Sequence, residues 1–411
     1  MINIVAENPK LLKKFLRKFK FAFYKKSYKS FSTYLAGLFL EIKRTNIHSI
    51  YSKSIFNSYE NLQYFLSESK WDHNKLNDKR IKLLQSNKIT RTKKDGVLVI
   101  DDSGCKKWGI HTQGAKIQHY PTEGITTNCN IVVVSAYCDL SVRYPINLLP
   151  YLPKEEFLGG KSDPDFKSKL DLAKDLINDA IKKEIKFSDI VFDSWFFSND
   201  FADFIIDKHK TFVTESPIDR LVSYHKNWIR VDELVKLIPS VKFKKVTHTN
   251  SVGEIRSFYV YGFVTKLKGI KENLKVVIVK GSWDEKDPKK VHVLVSNHIG
   301  FTAEEILEKY FLRWGIECIF RDLKENVAFD HYQVRSINAI TRHWHLSALA
   351  YTFLLWNKVT LLHPNTSIST IGDSLIFYRK INAISCLKWI DKNQRKFKEK
   401  FGITKDILLA A

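Results

Sequence analysis

The stretch "YFLRWGIECIFRDLK", residues 310–324, sets a phenol, a guanidinium, a carboxylate and an ammonium among apolar residues at helical spacing. It holds no proline, and its one glycine, Gly315, costs only about 1 kcal/mol in a helix, so the spacing predicts a helix. At about 100° per residue, Tyr310, Arg313, Glu317 and Lys324 fall in one stripe about 60° wide, beside an apolar face of Leu312, Ile316, Ile319, Phe320 and Leu323. At about 1.5 Å per residue the stripe is roughly 21 Å long, enough to follow several phosphates of a nucleic-acid strand. Arg313 and Glu317 are also four residues apart, so an ordinary surface ion pair, stabilising by about 0.2–0.5 kcal/mol, explains that pair alone.

The composition favours the larger reading. The chain has 411 residues, with 67 Lys/Arg against 44 Asp/Glu and a formal charge of +23. Such an excess points to a polyanionic partner, nucleic acid above all. It is uneven: residues 1–29 hold nine Lys/Arg and only Glu7 as an acid. No apolar run reaches the roughly 18 residues that span a bilayer, and "LSALAYTFLLW" (346–356) reads as a buried core helix, so no membrane partner is expected. No cleavable apolar segment follows the basic start, and the five cysteines are scattered without a C-x-x-C pair. Both features argue for a reducing cytoplasm and against zinc or disulfides. The histidines of "HWH" (343–345) lie on an apolar helix and read as structural.

Residues 1–94 read as a helical, basic DNA-binding region, with "KITRTKKDG" (88–96) as a basic linker. At "VLVIDDSG" (97–104) four apolar residues end in two acids and a glycine, as a buried strand ends at a site. "NIVVVSAYCDL" (130–140) and "VRYPINLLPYL" (142–152) supply further strands. "DFKSKLDLAKDLINDAIKKE" (165–184) is a helix, and "DIVFD" (189–193) and "TFVTES" (211–216) are two more buried strands. These divide a core into a first part, 95–217, and a second part, 297–358, around a β-rich insertion at 218–296. The second part opens on Thr302 and Glu305, a capping box. Residues 359–411 form a helical, basic C-terminal region.

Three acids therefore stand where side chains can converge: Asp101 or Asp102, Asp193, and Glu317. Carboxylates at strand ends are hard oxygen ligands that suit Mg²⁺ or Mn²⁺ and leave positions for phosphate and water. Two such ions serve in-line phosphoryl transfer.

The spacing Tyr310-x2-Arg313-x3-Glu317-x6-Lys324 resembles the Y-R-E-K signature of bacterial cut-and-paste DDE transposases encoded by insertion sequences. "VLVIDDSGCKKWGIHTQG" with "TTNCNIVVVSAY" is similar to the first-acid block of a group that usually reads Asp-Asp-Thr-Gly, and "IVFDSWF" to the second-acid block. The likeness runs in order over about residues 96–356, and its departures, Ser103 and Trp195, remove no ligand. It implies an RNase H-like α/β core with a β-rich insertion, flanked by helical regions. It further implies a transposase that binds terminal inverted repeats, cuts the strand at each end with a metal-activated water, and joins the freed 3′-OH to target DNA. Asp102, Asp193 and Glu317 would be the catalytic metal ligands, and Tyr310, Arg313 and Lys324 would contact the end strand. A homodimer on DNA and a place at the bacterial nucleoid follow by the same analogy. Trp283 or His292 would be the aromatic candidates for holding a flipped base. Alternatives are an RNase H-fold nuclease without strand transfer and a catalytically silent DNA-binding derivative.

Between the two adjacent acids, alternation along a strand cannot choose. Val97, Val99 and Asp101 share one face, Leu98, Ile100 and Asp102 the other, and both faces are apolar. The resemblance favours Asp102, the acid directly before Ser103.

Overall fold

The structure is a computed structural model that describes residues 3–40, 43–120, 123–249, 253–285, 287–360, 368–402 and 404–405. The basic N-terminal stretch folds as helices, as its spacing predicts. These are α1 (Lys10–Arg17), α2 (Lys25–Gly37), α3 (Ile47–Ser52), α4 (Tyr59–Ser67) and α5 (His73–Gln85). Leu12, Phe15, Leu16 and Phe19 are buried while Lys10, Lys14, Arg17, Lys18 and Lys20 stay exposed.

The core follows with β1 (Val97–Lys106), β2 (Lys116–Tyr120), β3 (Ile125–Cys138), β4 (Arg143–Tyr151), helix α6 (Lys169–Lys182), β5 (Asp189–Phe192), α7 (Asn199–Asp207) and β6 (Thr211–Glu215). β3 pairs antiparallel with β1 and β4, whereas β5 lies parallel to β1 and β6 parallel to β5. This mixed sheet with flanking helices is an α/β core, in agreement with the RNase H-like core that the family resemblance implies. β1 does not stop at its acids. It continues through Gly104 to Lys106, paired with β3 throughout. Gly104 is a strand residue under Tyr120, since a Cβ there would meet that ring at 2.3 Å.

The insertion contributes a small hairpin, β7 (Leu221–Tyr224) and β8 (Asn227–Arg230), a short helix α8 (Val231–Leu237), and then β9 (Lys244–Thr249), β10 (Ile255–Lys266), β11 (Asn273–Lys280) and β12 (Val291–Ser296). Its last four strands are no separate body. β12 pairs antiparallel with β6, Leu294 opposite Glu215, so the core sheet runs on into the insertion as ten strands among the described residues. α9 (Ala303–Phe311) and α10 (Trp314–Val327) then return the chain to the core, and α11 (Ile337–Thr360), α12 (Ile371–Lys392) and α13 (Gln394–Phe401) complete the fold. The remainder of the expected C-terminal region, 361–367, 403 and 406–411, lies outside the described residues. Among the described residues no helix is long and apolar enough to cross a membrane, and all five cysteines are buried and free.

The N-terminal helices share one apolar cluster with the sheet and α11. The 88–96 stretch is correspondingly pinned rather than loose: buried Thr90 donates to the Leu84 carbonyl, and Tyr137 Oη accepts from the Lys93 N–H. His343 is fully buried between the Tyr34 hydroxyl (2.8 Å) and the Ala328 carbonyl (3.0 Å), so its role is structural; burial drives its imidazole down to about 3.

Arg80 is the strongest of these ties. Its buried guanidinium, on α5, donates to Asn77 Oδ1 (2.7 Å), to the Pro145 and Ile146 carbonyls of β4 (2.8 and 2.9 Å), and to Thr352 Oγ1 of α11 (3.3 Å). Arg80→Met keeps the apolar stem but strips several buried acceptors of their donor, each worth roughly 1–3 kcal/mol, so the variant should lose about 2–5 kcal/mol. Chemical denaturation checks this, and an unchanged midpoint would contradict it.

Candidate active site

The register of two parallel strands builds the site. Leu98, Val99 and Ile100 of β1 stand opposite Ile190, Val191 and Phe192 of β5. One step beyond the last of these pairs come Asp101 and Asp193, near enough for the Asp193 charge to be felt at Asp101. Asp193 leaves the strand at once. Its Oδ1 accepts the N–H groups of Trp195 (3.1 Å) and Phe196 (3.3 Å), which holds the carboxylate at the strand exit.

Alternation sends the two neighbouring acids of β1 to opposite faces. Asp102 pairs with Lys169 of α6 at 2.8 Å. Asp101 instead meets Arg313, whose Nη1 donates to Asp101 Oδ2 (3.3 Å) and to Glu317 Oε1 (3.2 Å). The structure therefore gathers Asp101, rather than the Asp102 favoured from sequence, with Arg313, Glu317 and Asp193.

The single helix predicted over 310–324 is broken. α9 ends at Phe311 and α10 begins at Trp314, and across the joint the bonds tighten to i→i+3: Arg313 N–H to the Tyr310 carbonyl, and Ile316 N–H to the Arg313 carbonyl, each 3.0 Å. Gly315 allows the new helix to press on the sheet, since a Cβ there would stand 2.6 Å from Cys138 Sγ. The stripe is split as a result. Tyr310 donates its hydroxyl to Glu215 Oε2 (3.1 Å), Arg313 and Glu317 turn to Asp101, and Lys324 reaches over the Tyr120 ring at 5.4 Å, which Lys106 also approaches at 4.9 Å. The Arg313–Glu317 pair does form, but its guanidinium is largely buried and shared with Asp101, so it is not a solvated surface pair.

Two participants were missed in the sequence. Glu215, the fifth residue of "TFVTES", is an acid at a strand end, the same signal that singled out Asp193. Lys169 carries no signal, because only packing brings α6 against β1.

Charge is unbalanced here. Burial, then the charges of Asp193 and Asp102, push the Asp101 carboxyl well above its ordinary value, against Arg313. Asp193 is raised too, by burial first and by Asp102, against its backbone hydrogen bonds and Arg313. Arg313, despite burial, is held further in its charged form by Tyr310, Asp101, Glu317 and Asp193.

Two family comparisons bear on this geometry. The DDE superfamily endonuclease family matches residues 18–224, and the transposase DDE domain family matches residues 167–353. The chain belongs to the DDE transposase superfamily. The first match includes Asp101 and Asp193, and the second includes Asp193 and Glu317. A probable transposase for insertion sequence element IS701 from Microchaete diplosiphon is 27% identical over 172 residues, 41% of this chain and 43% of that protein. The match thus spans less than half of that relative's length. The Drosophila P element transposase strand transfer complex shows 11% identity over 86% of this chain and 78% of that one, at a TM-score of 0.20, too slight a likeness to bear on the fold.

In this DDE superfamily member the donor chemistry suits a hard divalent cation. Two carboxyls stand near each other, each made hard to ionise by burial and by neighbouring carboxylate charge, with Glu317 one guanidinium away. Among the described residues, no three His, Cys, Asp or Glu side chains are yet gathered as a metal cage, and Arg313 stands between Asp101 and Glu317.

Asp101 and Asp193 hold protons more tightly folded than unfolded. Their ionisation therefore destabilises metal-free protein as pH rises through the folded values, and is harmless below the ordinary carboxylate range. Asp101→Asn removes one buried charge, so its stability relative to the wild type in EDTA should increase as pH rises above about 4. The same variant should lose stabilisation by Mg²⁺ or Mn²⁺. Thermal melts across pH, with and without metal, test both, and a metal-induced shift kept in full by Asp101→Asn would contradict the assignment.

Proposed function

We propose that this chain is an insertion-sequence transposase that binds the terminal inverted repeats of its element and moves it by cutting and joining DNA strands. The observation that carries this reading is the Arg313 guanidinium bridging Asp101 and Glu317, with Asp193 close to Asp101 just past the end of the neighbouring strand. Asp101, Asp193 and Glu317 would hold Mg²⁺ or Mn²⁺, with Asp101 in the first-acid role that the sequence reading had given to Asp102. When bound, the ion helps an oxygen nucleophile form and offsets charge on the phosphate.

The protein's own groups set the rest. Glu317 and Asp101 each give one carboxylate oxygen to Arg313, so a cation held by both would compete with the guanidinium for them. Arg313 is then available to a DNA phosphate at the same spot. Tyr310 and Lys324 flank it at the two ends of the split stripe and contact the end strand. Asp102, neutralised by Lys169, supports β1 from the other face. In the hydrolytic step a water oxygen bonds to phosphorus and the 3′-oxygen leaves. In the joining step that 3′-OH attacks a target phosphate and the target's own 3′-oxygen leaves. The +23 charge and the exposed lysines of α1 suit a DNA partner, and end recognition is assigned to residues 1–94. Two ends brought together imply a dimer on DNA.

Asp101→Ala, Asp193→Ala and Glu317→Ala should each bind DNA from the gene's flanks yet lower cutting by at least about a hundredfold, the scale of one essential transition-state group. Asp102→Asn should retain part of the activity. Nicking and joining assays on flanking duplexes check this. Cutting undiminished in EDTA overturns the metal-dependent mechanism, and cutting without any joined product reduces the protein to a nuclease.

A further inference from the structure

One cluster near the site is absorbed by none of the roles above. Glu215, at the end of β6, uses both carboxylate oxygens on different elements: Oε1 meets His292 Nδ1 of β12 at 2.7 Å, and Oε2 accepts from the Tyr310 hydroxyl of α9 at 3.1 Å. Core strand, insertion strand and the helix just before the one bearing Glu317 thus meet on one side chain. The pairing of β12 with β6 makes this possible, because Leu294 stands opposite Glu215 and His292 lies two residues along, on the same face. With Nδ1 bound to the carboxylate, the imidazole carries its second nitrogen away from it, and the side chain is 68% exposed. Among the described residues no protein group meets Nε2.

We propose that His292 is a DNA phosphate contact of the insertion, and that Glu215 is the positioning residue that orients it and Tyr310 toward the same strand. This rests on the DNA-processing reading above. An imidazolium whose Nδ1–H is spent on Glu215 offers one outward N–H, the donor an anionic oxygen takes. The hydrogen bond from Glu215, then its negative charge, holds the imidazole above its ordinary value against partial burial. Glu215, though burial alone would raise it, is lowered by the bonds from His292 and Tyr310 and by the charge of Arg313. Beside the His292–Glu215 pair stand the neutral Tyr310 phenol and the charged Arg313 guanidinium. A fastening that served only to hold the insertion on the core would need no outward donor.

The experiment measures affinity for a fluorescent duplex of random sequence against salt, on the full chain, at about pH 6 and about pH 9, either side of imidazole titration. Each phosphate contact adds about 0.9 to the slope of log affinity on log salt. The wild type should show a steeper slope at the lower pH. His292→Ala should flatten the low-pH slope by up to about 0.9 and remove that contribution to its change with pH, and His292→Lys should keep the steep slope at both. Glu215→Gln should need a lower pH to reach the steep slope. If His292→Ala keeps the full pH-dependent change, or loses only thermal stability, the inference falls while the DNA reading stands. If the wild type binds no duplex even at low salt, both fall together.

Discussion

Arg313 is the side chain on which the site depends. Its guanidinium takes Asp101 from the middle of β1 and Glu317 from the first turn of α10, and so ties the last core helix to the central strand. Asp101 and Asp193, both held towards their protonated forms by burial and by neighbouring carboxylates, have Arg313 as the cation that opposes this. Keeping two buried carboxyls beside each other costs stability wherever they ionise.

The sheet explains why the acids meet. Parallel pairing of β5 on β1 is the one long-range event that puts residues 101 and 193 side by side, and both strands are apolar on both faces because helices cover them. The same sheet continues through β6 into the insertion, so the insertion is bound to the core by backbone hydrogen bonds rather than by a flexible tether. Glu215 stands at that junction, and any displacement of β12 would be felt by Tyr310 through it.

The basic N-terminal region is also less separate than its composition suggests. Arg80 and Arg342 bury their guanidinium groups against backbone carbonyls on the far side of the helix junction, Arg342 at Leu66, Ser69 and Trp71. A charged group buried this way is costly unless its donors are met: Arg80 bonds through Nε, Nη1 and Nη2, and Arg342 through Nη1 and Nη2 but not its buried Nε, so these contacts help fix how the helices sit on α11. Recognition of DNA by this region would therefore be coupled to the core rather than carried by a loose module.

The sequence by itself determined the α/β class, the basic surface, the order of acid-bearing elements and the β-rich insertion, because apolar period, charge and capping residues are local. The strand at 97–104, the helix at 165–184 and the capping box at Thr302 were all legible in that way. What only tertiary structure decided was which partner each side chain found. Asp101 and Asp102 are indistinguishable in a strand apolar on both faces, and the choice came from α10 lying over one face and α6 over the other. The helix break at Leu312–Arg313 was invisible for the same reason, since nothing in the local pattern records that Gly315 must pass close to Cys138. Periodicity tells a side chain which way to face, and only long-range packing tells it what it will meet there.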